Sequence, residues 1–249
     1  MIDATKLSPQ PDADIVYAIG DIHGRLDLLE RMEEAIAADI AARQPTHPLL
    51  CYLGDYIDRG PHSAQVIERL CGVFADGITR VFLCGNHEDR MMAFLDAPTE
   101  NGPAWMKFGG REAMESYGLD VPETIEGDGW LDLRDALRKI LPPAHLRFLE
   151  GLQLGLNWRH YLFVHAGIDP HKPLTEQSPR DLMWIREPFL SAEQDWGHRI
   201  VHGHFIVEEP VFRFNRIGID TGAYRSGRLT CLAIDDSGTH LIQVTGSPA

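Results

Sequence analysis

Three times before residue 90 the chain passes through the same order of textures: a short apolar stretch, a glycine with a polar loop, then residues at helical spacing. The apolar stretches are 15–19 (IVYAI), 49–53 (LLCYL) and 79–84 (TRVFLC), closed by Gly20-Asp21, Gly54-Asp55 and Gly85-Asn86. Runs of this length between turn signals read as buried strands. Leu28, Leu29, Met32, Ile36 and Ile40 share one helical face and predict a helix over 26–42, and a second is expected over 64–74. Strand, glycine turn and helix in alternation require parallel strands joined by crossovers, which places the chain in the α/β class.

From 97 to 151 the texture changes, because Pro98, Gly102, Pro103, Gly109, Gly110 and Gly127 keep interrupting it. Short helices are expected over 105–117, 131–140 and 144–151, the last opened by Pro142-Pro143. This stretch is too short to bury a core of its own and reads as a helical insertion. Strands return over 161–164, 199–201, 211–219, 228–234 and 240–244. The organisation expected is a single domain over 15–249, preceded by a polar, proline-containing segment over 1–14 that should be flexible.

Charge narrows the partners. With 23 Lys+Arg against 37 Asp+Glu the formal net charge is -14, which argues against a nucleic-acid binder, whose affinity rests on a basic surface. No apolar run approaches the ~20 residues that span a bilayer, so no membrane is expected. Cys51, Cys71, Cys84 and Cys231 form no C-x-x-C pair. Cys51 and Cys84 lie in apolar runs and read as small buried hydrophobes, as in a reducing, cytoplasmic setting.

The chemistry sits in the loops. GDIHG at 20–24, GDYIDRG at 54–60 and GNHE at 85–88 each follow a strand, and VHAG at 164–167 and VHGH at 201–204 follow two later ones. Ligands in open α/β sheets bind outside the carboxyl ends of strands, so these loops can meet in one crevice. Carboxylates, imidazoles and one amide without a thiolate suit two divalent ions such as manganese, iron or zinc. Such a pair, ~3.5–4 Å apart, clamps the attacking and leaving oxygens of an in-line displacement. Taken singly, a Gly-Asp after a strand is an ordinary turn, and a histidine such as His165 is more often a satisfied core residue. Their joint order is what carries the signal.

These motifs together resemble the phosphoprotein phosphatase branch of the calcineurin-like metallophosphoesterases, over residues 21–204. The resemblance implies a β-sandwich flanked by helices (α-β-β-α), with the metals at strand ends. It implies that Asp21 and His23 bind the first metal, that Asp55 bridges both, and that Asn86, His165 and His204 complete the second. Hydrolysis would proceed by attack of the metal-bridging hydroxide, with His87 as general acid and Asp58 as its partner. Arg59, Arg186 in the segment MWIR, and Asn86 would hold the substrate phosphate. His202, two residues from His204 in an extended segment, would share its face, but the family pattern assigns the ligand to His204.

The resemblance is closer to bacterial members than to the longer eukaryotic ones. VHAG lacks their second glycine, and IDTGAY at 219–224 stands where their substrate-contacting loop would be. Trp105 with Gly109-Gly110 and SYG at 116–118 also resembles bacterial members. The leading expectation is a protein serine/threonine phosphatase acting on a phosphorylated protein. Alternatives within the family are a phosphotyrosine-preferring phosphatase and a symmetrical diadenosine tetraphosphate hydrolase acting on a small phosphoester. A non-catalytic scaffold would show substituted ligands, and all six ligand residues are present. Sequence leaves the oligomeric state open.

Overall fold

In a computed structural model of the chain, the described residues are 7, 8, 11–74 and 76–247. The first part holds strands β1 (Leu7–Ser8), β2 (Ile15–Ile19), β3 (Pro48–Tyr52) and β4 (Thr79–Phe82), with helices α1 (Leu26–Arg43), α2 (Ser63–Leu70) and α3 (Asn86–Asp96) between and after them. Four helices follow: α4 (Pro98–Met106), α5 (Gly110–Ser116), α6 (Gly129–Ile140) and α7 (Pro143–Gly151). Then come β5 (Gly155–Trp158), β6 (Tyr161–Val164), α8 (Pro179–Trp184), β7 (Arg199–His202), β8 (Val211–Phe212) and β9 (Arg216–Gly218). The chain closes with α9 (Ala223–Ser226), β10 (Arg228–Asp235) and β11 (Gly238–Thr245).

The strands form two sheets, ordered β11-β10-β2-β3-β4 and β1-β5-β6-β7-β9-β8. β2, β3 and β4 are parallel neighbours, as the strand–turn–helix alternation requires. Period-two alternation explains why their sequences look apolar throughout. Val16, Ala18, Leu49, Cys51 and Leu53 face Leu156, Trp158, Phe163, Val201 and Ile217 of the other sheet. Ile15, Tyr17, Ile19, Leu50 and Tyr52 point the other way, packing with Leu28, Met32, Ile36, Val66 and Ile67 of α1 and α2. Both faces are therefore dry, and the fold is an α/β sandwich of sheets flanked by helices. The insertion at 98–151 joins this core through Trp105, Trp130, Leu133 and Leu137.

Several boundaries differ from the sequence reading, each for a physical reason. The helix expected over 105–117 is two, α4 and α5, broken at Gly109, whose φ of 101° is left-handed. A Cβ there would lie 2.4 Å from the Arg59 nitrogen, so the break makes room for the Arg59 loop. The strand expected over 211–219 is a hairpin, with Val211 opposite Gly218 and Phe212 opposite Ile217. The helix expected over 64–74 stops at Leu70, just ahead of Cys71-Gly72. Strand β5 and helices α3 and α8 were not foreseen. The flexible segment expected over 1–14 falls largely on residues 1–6, 9 and 10, which lie outside the described residues. Leu7–Ser8 pairs in parallel with Gly155–Leu156, and the Asp14 carboxylate accepts hydrogen bonds from the Thr46 and His47 nitrogens. No helix among the described residues is long and apolar enough to cross a membrane.

Candidate metal centre and active cleft

The loops after β2, β3, β4, β6 and β7 converge on one cleft. Their backbone is under local strain there. Among the described residues, seven non-glycine positions have left-handed φ, and five are His23, Asp55, Asp58, Arg59 and His204. Such conformations are disfavoured for L residues and persist where surrounding structure enforces them, typically at functional sites. The enforcement is visible at Gly85, where a Cβ would lie 2.1 Å from Asp55 Oδ1. Gly203 plays the same part for Asp21, since its Cβ would lie 2.0 Å from Asp21 Oδ1.

Two groups of ligand-type side chains share Asp55. One is His23, Asp55 and His87, the other Asp55, His165 and His204, and in each group the polar atoms lie within 4.8 Å of one another. His23 Nδ1 is tied to the Ile57 carbonyl at 2.9 Å, leaving Nε2 facing Asp55 Oδ2 at 3.6 Å. His165 Nδ1 is tied to the Leu53 carbonyl at 2.9 Å, and its Nε2 faces Asp55 Oδ1 at 3.4 Å. Asn86 Oδ1 sits between His165 Nε2 (2.9 Å) and His204 Nδ1 (2.7 Å). One nitrogen of each of His23 and His165 is thus fixed by backbone while the other points inward, the arrangement that orients metal-binding imidazoles. Asp21 lies beside them, accepting the His204 backbone N–H at 3.0 Å.

His87 stands apart in its partners. Its Nδ1 is 2.6 Å from Asp58 Oδ2, and its Nε2 is 3.8 Å from Asp55 Oδ2. Asp58 is fully buried and receives the Trp105 indole N–H at 2.9 Å, while the Asp58 backbone N–H donates to Ser63 Oγ at 2.9 Å. Trp105 was noticed in the sequence only as a family likeness, and its bond to Asp58 was not legible there. Glu88 was likewise unassigned. Its carboxylate accepts the backbone N–H groups of Asp55 (2.9 Å), Tyr56 (2.8 Å), Ile57 (3.3 Å) and Gly85 (3.0 Å), holding the Asp55 loop against α3.

The cleft itself has a volume of about 360 Å³ and is lined by His23, Asp55, Arg59, Asn86, His87, Phe108, Trp184, Arg186 and His204. Arg59 Nη1 lies 3.3 Å from His23 Nε2, and its guanidinium stacks over Tyr224 at 4.6 Å. Arg186 lines the same cleft, with its guanidinium 5.9 Å from the Phe205 ring. The cleft thus brings both sequence-selected arginines to the imidazoles. Phe108 and Trp184 were not selected. Between their rings lies the Arg90 guanidinium, 4.1 Å from Phe108 and 4.5 Å from Trp184.

Electrostatics shows what the cluster is suited to hold. Burial, with Asp220 and Asp55 alongside, pushes the Asp21 carboxyl well above the usual range, and burial lifts Asp220 to about 6. Burial would raise Asp55 as well, but His165, His87, His23 and His204 hold it below the ordinary value. Burial drives His23 and His165 down, and His204 down to about 2, so these rings are neutral with lone pairs available. His204 Nε2 is buried without a partner among the described residues. Crowded carboxylates, neutral imidazoles and an orphaned ring nitrogen form a donor set that fits divalent cations. His202 belongs to neither group. It is buried against Phe189 (5.1 Å between rings), with Nδ1 on the Gly203 carbonyl and a burial-lowered pKa of about 4.

Known proteins share the family and the fold. The family model for calcineurin-like phosphoesterases matches residues 15–226. A bis(5'-nucleosyl)-tetraphosphatase PrpE [asymmetrical] of Bacillus cereus (strain AH820) is 27% identical over 234 residues, covering 86% of this chain and 88% of its own. Among solved structures, a presumed diadenosine tetraphosphatase superposes with a TM-score of 0.66 at 18% identity, covering 98% of each chain. A cold-active protein tyrosine phosphatase does so with 0.62 at 17% identity, covering 98% of this chain and 82% of that one. With the family's model matched over most of its length, and ligand-type side chains grouped in pairs about a shared aspartate, this chain belongs to the calcineurin-like phosphoesterases, enzymes that hydrolyse phosphate esters.

Proposed function

We propose that the chain hydrolyses a dinucleoside polyphosphate, releasing a leaving group that carries an aromatic base. The observation that carries this reading is the pair Phe108 and Trp184, which line the same cleft as His87, with the Phe108 ring 6.2 Å from the His87 ring. Aromatic faces reward stacking by a base and offer little to a seryl side chain. The names of the relatives point the same way and favour asymmetrical over symmetrical cleavage. Phosphotyrosine is the second reading, supported by the same two rings.

Asp21, His23, Asp55, Asn86, His165 and His204 are the residues proposed to hold two divalent ions, with Asp55 between them. Bound there, manganese, iron or zinc would supply Lewis acidity and an acidified water. The protein's own groups do the rest. Arg59 and Arg186 clamp the non-bridging oxygens with planar paired donors, and Asn86 adds its amide. Asp58 fixes His87 through Nδ1, so that Nε2 faces the cleft and delivers a proton to the departing oxygen. Trp105 in turn fixes Asp58.

The test is a rate comparison on chelated protein given back Mn²⁺, using diadenosine tetraphosphate, a phosphotyrosyl peptide and a phosphoseryl peptide. The expected order of kcat/KM is dinucleotide first, phosphotyrosine second and phosphoserine last. Products ATP and AMP mark asymmetrical cleavage, and two ADP mark symmetrical cleavage. A phosphoseryl peptide turned over fastest would restore the serine/threonine phosphatase expected from sequence. Turnover indifferent to chelation would remove the metal-dependent mechanism altogether.

A further inference from the structure

A second cluster of metal-ligating side chains lies outside the cleft. Glu68, Cys71 and His145 bring a carboxylate oxygen, a thiol sulfur and an imidazole nitrogen within 4.8 Å of one another. Glu68 and Cys71 are three residues apart at the end of α2, a spacing that puts them on one face. His145 comes from the first turn of α7, in the helical insertion. Its Nδ1 is held by the Tyr117 hydroxyl at 2.9 Å, which turns Nε2 toward Glu68 Oε2 at 2.7 Å. His145 is only 2% exposed, whereas the Glu68 side chain is 73% exposed and free to change rotamer.

We propose that Glu68, Cys71 and His145 form a zinc site, independent of the dimetal centre, that staples α7 of the insertion to α2 of the α/β frame. One sulfur, one nitrogen and one oxygen donor are a borderline-soft set that selects zinc over manganese or magnesium. Tetrahedral zinc holds its ligands at about 2.0–2.3 Å, which separates ligand atoms by ~3.3–3.8 Å. The His145–Glu68 pair is closer than that at 2.7 Å and all three ligand atoms lie within 4.8 Å of one another, so rotations of the Glu68 and Cys71 side chains can reach it, with water in the fourth position. The ion displaces the proton shared by His145 Nε2 and Glu68 and the proton of the Cys71 thiol, both of which pass to solvent. The carboxyl end of α2 adds the negative end of its dipole, which favours a cation. Tyr117 then serves as the outer partner that keeps the His145 ring aimed at the metal. Burial and the neighbouring Glu68 raise the Cys71 thiol pKa, while Arg147 opposes them, and a bound cation would reverse the balance toward thiolate.

The dimetal centre contains no thiolate, and this separates the two sites in one experiment. Apoprotein is titrated with Co²⁺, and near-ultraviolet absorption and metal content are read for wild type, Cys71→Ser and Tyr117→Phe. A thiolate-to-cobalt charge-transfer band is expected in wild type and lost in Cys71→Ser, which should also retain one metal ion fewer per chain. Tyr117→Phe should still develop the band but need about 10–100-fold more free Co²⁺ to reach half of it. Absence of the band in wild type, or its persistence in Cys71→Ser, overturns the proposal. The difference of one ion is read whatever the cleft holds, so failure of the dimetal assignment would not obscure it.

Discussion

The floor and the rim of the cleft are built on different principles. On the floor Asp55, His23, His165 and Asn86 are buried, and backbone or neighbouring side chains fix them from several directions. The rim is looser. Phe108 is 38% exposed, and Arg90 is held by stacking on Phe108 and Trp184, with no hydrogen bond among the described residues. Floor residues come from strand ends, whereas Phe108 sits in the turn between α4 and α5 and Trp184 at the end of α8. A rigid floor does chemistry that tolerates no displacement, and a stacked rim can be altered without touching it. Substitutions on the floor should therefore abolish turnover on every substrate, and those on the rim should re-rank substrates.

The largest effect is expected from Asp55→Asn. Its carboxylate is common to both ligand groups, so the variant should lose bound metal and turnover together. His87→Asn should keep its metal and lose turnover by about 10²–10⁴, the usual scale for a general acid. Metal analysis beside steady-state rates separates the two, and equal metal loss in both would contradict the roles given to them.

Next comes Glu88→Gln, which tests how rigid the floor must be. Four backbone N–H groups converge on this carboxylate, and an amide replaces one of its acceptor oxygens with a donor. At least one buried N–H then loses its partner, at a cost of about 1–3 kcal/mol. Thermal unfolding should report that loss on either side of the metal titration. An unchanged Tm would mean that the Asp55 loop is held by something other than Glu88.

How much of this was legible in the sequence follows the same division. The parallel strands were readable because both faces of β2 and β3 are buried, which leaves an unbroken apolar run ahead of each Gly-Asp. Of the floor residues, Asp55, Asn86 and His165 were readable because each is the first polar group after such a run, and His23 because it follows Asp21 in GDIHG. Glu88 stands two residues after Asn86 in GNHE, but three of its four partners are backbone groups some thirty positions away, and no pattern of side chains records them. The bond from Trp105 to Asp58 is equally silent, since it depends on how the insertion docks. Asp220 went unselected because its Asp-Thr-Gly setting looks like a turn, although it faces Asp21 closely enough to raise it. The hairpin at 211–218 read as one strand because the turn around Arg213 and Asn215 lacks glycine or proline.

On the rim, Phe108→Ala and Trp184→Ala should each cut kcat/KM for diadenosine tetraphosphate and phosphotyrosyl peptide about two- to tenfold. That is the range of an aromatic contact worth ~0.5–1.5 kcal/mol. Rates on a phosphoseryl peptide should hardly move, so the ratio between substrates is the quantity to measure. A uniform fall across all three would assign these rings to the floor and erase the contrast.

The smallest effect, and the one that cuts the comparison finest, is Arg90→Lys. Arg90 lies one helical turn beyond His87 on α3, with Asp58, Asp89 and Asp55 all acting on its charge. Its Nε is buried without a partner among the described residues, so its planar face and its charge are the two candidates for what it contributes. Lysine keeps the charge and abandons the plane. If stacking is what spaces Phe108 from Trp184, Arg90→Lys should behave as a weakened Phe108→Ala. Its shift in substrate ratio should be about two- to fivefold, from ~0.5–1 kcal/mol of exposed cation–π contact, with metal content unchanged. If the charge is what matters, Arg90→Lys should match wild type while Arg90→Ala shifts the ratio. Either result places Arg90 on the rim. A fall in turnover on all substrates in Arg90→Lys would instead tie it to the His87–Asp58 pair and move the boundary between floor and rim by one turn of α3.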